Sequence, residues 1–303
     1  MNGAAWLRGS FPPLVTPFRA GAVDYEAYVQ LVEAQAQGGS AGIVVNGTTG
    51  EPSTLTVQER NRLVDVALEA AAGRLRVVAA TGSQSLAETQ ALTAHAVEAG
   101  ADALLIVTPY YIRPPQRGLV AYYAAVTRGL PPSLPWMIYH IPGRAAVQVD
   151  LETLRAIADR CEGFAGMKHA STDLGFVADA LKALPELRIF VGLEELSFPM
   201  MAIGAVGLMN AAGNLHPRIL VELCEAVESG DLVTARSLHE RMLELNRAIF
   251  FDTNPIPIKY MMKRLGLLEA NEHRLPMVPA TEELERRLDG VLERCGLFDL
   301  AMR

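Results

Sequence analysis

FAGMKHA, residues 164–170, is an apolar run of strand length with a lysine near its end. Burying an ammonium is costly unless it is paired or loses its proton, so either the run is not a buried strand or its lysine has chemical work. Seven further short runs rich in Val and Ile have the same form: PPLVTPF (12–18), AGIVVNG (41–47), RVVAATG (76–82), ADALLIVTP (101–109), PWMIYHI (135–141), RIFVGLE (188–194) and GAVGLMN (204–210). Helical patterns lie between them, such as DYEAYVQLVEAQAQGG, which Asp24 can cap and Gly38 can end, and LAETQALTAHAVEAG, which stops at Gly100. Alternating strands and helices predict a parallel sheet. Eight units recurring every 25 to 30 residues, very roughly, predict an α/β protein of the closed (β/α)8 TIM barrel type, since an open doubly wound sheet holds about five or six strands. After residue 215 the pattern is helix after helix, over 217–229, 231–251, 256–265 and 282–294. The expected organisation is a barrel with the active site over 1–215 and a helical extension packed on it over 216–303.

A 303-residue chain that is 50% hydrophobic and 20% charged is too apolar for disorder. Its net charge of −7 gives no electrostatic reason to bind nucleic acid or an anionic membrane, so positive charge for a small anionic substrate has to be local. Cys161, Cys224 and Cys295 are far apart and form no CxxC pair, which suggests neither a disulfide framework nor a zinc knuckle. The start, MNGAAWLRGS, lacks the apolar segment of a signal peptide, and no apolar stretch is long enough to cross a bilayer. A soluble, cytoplasmic protein is expected.

Barrels of this type gather their chemistry at the carboxyl ends of the strands. Nearly every polar residue in a predicted strand falls there, in Asn46-Gly-Thr-Thr-Gly-Glu51, Thr108-Pro-Tyr-Tyr111, Tyr139-His140, Lys168-His169, Glu194 and Asn210. An amine such as that of Lys168 can attack a ketone and form an imine, which turns a carbonyl compound into an electron sink. The plainer alternative is a strand-end lysine that reaches solvent. Tyr139, on the neighbouring strand, could pass a proton to or from the adduct, or could simply be a core tyrosine. The GTTGE turn offers hydroxyls and main-chain N–H groups as a cradle for a carboxylate, or else a threonine cap for the next helix. TPYYIRPP makes a stiff, aromatic, projecting loop suited to an interface. Arg144 could bind a carboxylate through both guanidinium N–H groups, or lie solvated in its loop. His140, His169 and Glu194 raise a metal-dependent alternative. Side chains alternate along a strand, so if Tyr139 and Lys168 point into the barrel the two histidines point outward, and only one face can be the site. The remaining histidines, 95, 216, 239 and 273, show no ligand spacing and are expected at the surface or on helices, and no metal is expected.

Taken together, GTTGE (47–51), TPYY (108–111), YHIPGR (139–144), GMK (166–168) and NPIPIK (254–259) resemble the dihydrodipicolinate synthase and N-acetylneuraminate lyase family of pyruvate-dependent aldolases, from about Gly9 to about Leu297. The resemblance implies a homotetramer built as a dimer of dimers. Lys168 would form the imine with pyruvate or another 2-oxo acid, with no separate cofactor, and Tyr139 would handle protons. Thr48 would link Tyr139 to Tyr111, which would reach across the dimer into the partner's site, while Thr49 and the main chain near Met209 would hold the carboxylate and the reacting centre. Thr48-Thr49 with Arg144 looks like the synthase branch of lysine biosynthesis, in which the arginine meets the carboxylate of aspartate semialdehyde. Departures from that branch are His169 for a glutamate, Pro52 for a serine, Ala145 for a hydroxyl residue and Leu193-Glu194 for an acidic pair. The expected activity is a Schiff-base lyase that joins pyruvate to an aldehyde. Its alternatives are cleavage of a longer 2-oxo acid such as 4-hydroxy-2-oxoglutarate, a deoxy sugar acid or N-acetylneuraminate, and a 2-oxo acid binding protein without catalysis.

Overall fold

A computed structural model describes residues 4–298 of the chain. Eight parallel strands form one sheet: β1 (Gly9–Ser10), β2 (Gly42–Val45), β3 (Arg76–Ala80), β4 (Ala103–Val107), β5 (Trp136–His140), β6 (Phe164–His169), β7 (Arg188–Val191) and β8 (Gly207–Leu208). Sequence neighbours pair from β2 to β8, and β8 pairs with β1. The ring closes where Ala41 N donates to Ser10 O, Val44 N to Pro12 O and Leu14 N to Val44 O, with Pro13 bridging Val44.

The central strands follow the sequence, whereas the two at the seam do not. In PPLVTPF, Pro12, Pro13 and Pro17 have no N–H to give a ladder, so regular pairing falls earlier, at Gly9–Ser10. Phe18–Arg19 instead forms a two-residue antiparallel hairpin with Ala22–Val23. GAVGLMN pairs only over Gly207–Leu208. There the backbones come so close that a Cβ on Gly207 would strike the main chain of Gly9.

Alternation divides the buried side chains into two layers. Phe11, Val44, Val78, Leu105, Met137, Tyr139 and Phe190 pack inside the ring, while Ile43, Val77, Ile106, Ile138, Met167 and Ile189 face the helices. The helices carry the expected punctuation. Asp24 accepts from Ala27 N to cap α1 (Tyr25–Gln37), and Gly38 ends it. Thr56 and Glu59 form a capping box on α2 (Val57–Ala71). Ser85 caps α3 (Leu86–Ala99), which ends at Gly100 with φ of 90°. After α4 (Gln116–Thr127), α5 (Leu151–Arg160), α6 (Leu174–Ala183) and the short α7 (Ser197–Ala202) comes α8 (Pro217–Glu228). This helix packs on β1 and β8, so it is the eighth helix of the barrel, and the boundary expected at 215 moves past it. The extension proper consists of α9 (Leu232–Ala248), α10 (Ile256–Arg264) and α11 (Glu282–Arg294). Among the described residues no helix is long and apolar enough to cross a membrane.

Candidate active site

Tyr139 and Lys168 are register partners at the carboxyl ends of β5 and β6. Both are buried, and Lys168 retains only 4% exposure, so its amine does not simply reach bulk solvent. Its Nζ lies over the Tyr139 ring, 4.5 Å from the centroid. The phenol oxygen of Tyr139 is 3.2 Å from Thr48 Oγ1. Gly192, just beyond β7, makes room for this lysine: a Cβ there would come 3.0 Å from Lys168 Cε. Thr49 Oγ1 accepts from Asn254 Nδ2 at 3.0 Å.

These groups line a recess of about 30 Å³, together with Glu194 and Met209. Thr48, Tyr139, Arg144 and Asn254 also line a second, larger cavity of about 580 Å³, which takes in Tyr110. Arg144 sits in the helical turn Pro142–Ala145 after β5, and among the described residues no carboxylate pairs with it. Met209 follows β8, and its N–H donates to Val191 O. Tyr111 lines neither cavity. It is 83% exposed beside Ile112 on the projecting loop, with φ of 73°, so within one chain Thr48 meets Tyr139 and not Tyr111.

Glu194 is the acid that the sequence left without a role in imine chemistry. Its carboxyl is buried in the recess, with Oε1 accepting from Ala211 N at 2.7 Å and Oε2 without a hydrogen-bond partner among the described residues. Burial raises its pKa, while the Ala211 N–H and the charge of Lys168 pull it back. Asn254, which reaches Thr49 from 205 residues away, was likewise invisible as a site residue, although its NPIPIK segment stood out as a motif.

The two histidines do point outward. His140 Nδ1 lies 3.1 Å from His169 Nδ1, and both rings pack against Phe176 of α6. Val149 N donates to His140 Nε2, which places the His140 proton on Nδ1 as donor to His169. Glu194 faces the recess, so these three residues do not converge on a metal. Among the remaining histidines, His239 lies on α9, but His273 is neither at the surface nor on a helix. Its side chain is fully buried, with Nδ1 3.2 Å from Glu51 Oε2.

Burial, reinforced by the neighbouring ring, pushes His140 down to about 3, and burial pushes His169 down to about 4. Both rings are thus neutral in the fold, while the unfolded chain takes up protons below the ordinary value of 6.5. The stability gained by keeping them neutral is fully present above about pH 6.5 and is lost as pH falls towards 4 and 3. Acidification from 6.5 to 5 is expected to remove on the order of 2 kcal/mol per ring. Thermal unfolding scanned over that range checks this: the midpoint should fall by several degrees, and a His140→Asn/His169→Gln variant should show a shallower slope. Equal slopes would contradict a buried neutral pair.

The model of the dihydrodipicolinate synthetase family matches residues 6–295. The chain belongs to that family. A 4-hydroxy-tetrahydrodipicolinate synthase of Thermus thermophilus is 47% identical over 96% of this chain and 97% of its own length. One from Aquifex aeolicus is 39% identical over 96% and 98%. The crystal structure of dihydrodipicolinate synthase from Aquifex aeolicus superposes with a TM-score of 0.93 at 38% identity, covering 96% of this chain and 98% of that one. Another similar structure, with a TM-score of 0.91 at 34% identity over 96% and 97%, is described as the first monomeric dihydrodipicolinate synthase variant. The fold and the family expected from the five motifs are therefore those of the chain.

Proposed function

We propose that the protein is a 4-hydroxy-tetrahydrodipicolinate synthase, a class I lyase that condenses pyruvate, held as an imine on Lys168, with L-aspartate 4-semialdehyde. The observation that carries this reading is a buried lysine amine against a tyrosine whose hydroxyl is in hydrogen-bond reach of a second hydroxyl, Thr48. The free amine attacks C2 of pyruvate, and the resulting carbinolamine loses water to give the imine. Loss of a C3 proton gives the enamine, which attacks the aldehyde carbon, and the new alkoxide takes up a proton. The amino group of the added substrate then attacks C2, closing the ring and releasing the Lys168 amine. The Tyr139 phenol gives and takes these protons, with Thr48 as its partner. Thr49 and the main chain near Met209 hold the pyruvate carboxylate, and no separate cofactor takes part.

Arg144, at the larger cavity with no carboxylate partner among the described residues, receives the carboxylate of the aldehyde. Exposed Tyr111 and Ile112 support assembly as a tetramer of paired dimers in which Tyr111 enters the partner's site. The free thiols of Cys161 and Cys224 accord with a cytoplasmic setting.

Specificity constants across a panel of aldehydes and hydroxy-oxo acids test the substrate. Aspartate semialdehyde should rank first, and Arg144→Ala should raise its KM about 10- to 100-fold, as expected for a lost charged hydrogen bond, with little change for pyruvate. Faster cleavage of a longer 2-oxo acid, insensitive to Arg144, would assign the same imine to the opposite direction.

A further inference from the structure

The NPIPIK segment has no part in the steps above, yet two of its side chains reach the turn that carries Thr48 and Thr49. Asn254 donates to Thr49 Oγ1. Five residues on, Lys259 of α10 is fully buried. Its Nζ donates to Glu51 Oε1 at 2.8 Å, to Thr16 O at 3.0 Å and to Glu272 O, so all three ammonium protons have acceptors. The other oxygen of Glu51 meets His273 Nδ1. Glu51 closes the turn: its N–H donates to Thr48 O, and its φ of 53° lies in the left-handed region, which a non-glycine residue holds only when its surroundings impose it.

Two fully buried charges cost desolvation that an apolar pair of the same volume would not, so an ion pair at this depth is a poor device for stability alone. What it fixes is a conformation. We infer that Glu51 and Lys259, with His273 as a further partner of the carboxylate, are positioning residues: they lock the 47–51 turn so that the Thr48 hydroxyl stands at Tyr139 and Thr49 stands at the recess. This rests on the imine chemistry of Lys168 and Tyr139, and it makes the helical extension a working part of the site. Glu51, at the end of one barrel strand, and Lys259, 208 residues later, tie the two regions together.

A double-mutant cycle between Lys259→Met and Thr48→Val tests it. Lys259→Met alone should lower kcat about 10- to 100-fold at temperatures where circular dichroism shows the fold intact, as expected for a misplaced proton-handling group. Borohydride trapping of pyruvate on Lys168 should still reach completion at saturation. In the Thr48→Val background, where no hydroxyl remains to be positioned, the same substitution should cost at most about 2- to 3-fold more. If Lys259→Met does not fold, Glu51→Gln/Lys259→Met, which leaves no orphaned buried ion, carries the same cycle. A folded variant within about twofold of wild-type turnover, or losses that multiply, overturns the positioning role while leaving the imine chemistry intact. Absence of trapping in the wild-type protein would instead remove both.

Discussion

Lys168→Ala is expected to abolish turnover and leave the barrel folded. Among the described residues lining the recess, Lys168 carries the one primary amine and so the one group able to form an imine at C2 of a 2-oxo acid, and removing the nucleophile of a covalent mechanism typically costs at least about three orders of magnitude. The fold should tolerate the change because among the described residues Lys168 makes no ion pair. Its Nζ lies over the Tyr139 ring, and the neighbouring space is kept open by Gly192. An alanine also removes the difficulty of holding an ammonium within an apolar ring. Steady-state assay together with thermal unfolding separates the two effects. The expected pair of results is no measurable rate and a midpoint at or above that of the wild type. A variant that turns over at near-normal rate would dismiss Lys168 as nucleophile.

Tyr139→Phe is expected to lower kcat by about 10²- to 10⁴-fold, the range for a positioned general acid–base group. The substitution keeps the ring beneath Nζ and removes only the hydroxyl that faces Thr48, so packing and imine geometry survive while proton transfer is lost. Trapping of pyruvate should become slower yet still reach Lys168, and the KM for pyruvate should change far less than kcat. A loss confined to KM would make Tyr139 a binding residue. Stability should fall by about 1 kcal/mol at most, the net worth of one hydrogen bond.

The barrel was legible where its strands are continuous apolar runs, because a parallel sheet covered on both faces leaves no other composition. It was less legible at the seam. The prolines of 12–18 satisfy an apolar pattern while withholding the N–H groups that a ladder needs, and β8 pairs over only two residues. Helix α8 read as part of the extension because periodicity reports an amphipathic face and not the surface it covers. The centre of the site was legible through strand alternation: fixing Tyr139 and Lys168 inward sent His140 and His169 outward, as found. What stayed hidden were partners joined across long sequence separations. No local pattern marks Asn254 as the donor to Thr49, His273 as the neighbour of Glu51, or Glu194 as a half-satisfied carboxyl beside the lysine. Tyr111 is a different case, since in one chain it stands free of the groups it was expected to join.

The chain contains four lysines, and two of them are buried in opposite ways. Lys259 gives its protons to a carboxylate and two carbonyls, whereas Lys168 faces a ring and an open recess. Lys182 and Lys263 are exposed. Incubation with pyruvate, reduction with borohydride and peptide mass spectrometry therefore put the central claim directly at risk. A single reduced adduct on Lys168, with Lys259 unmodified, is the predicted result. No adduct, or one carried by Lys259 or by the exposed lysines in its place, would contradict it.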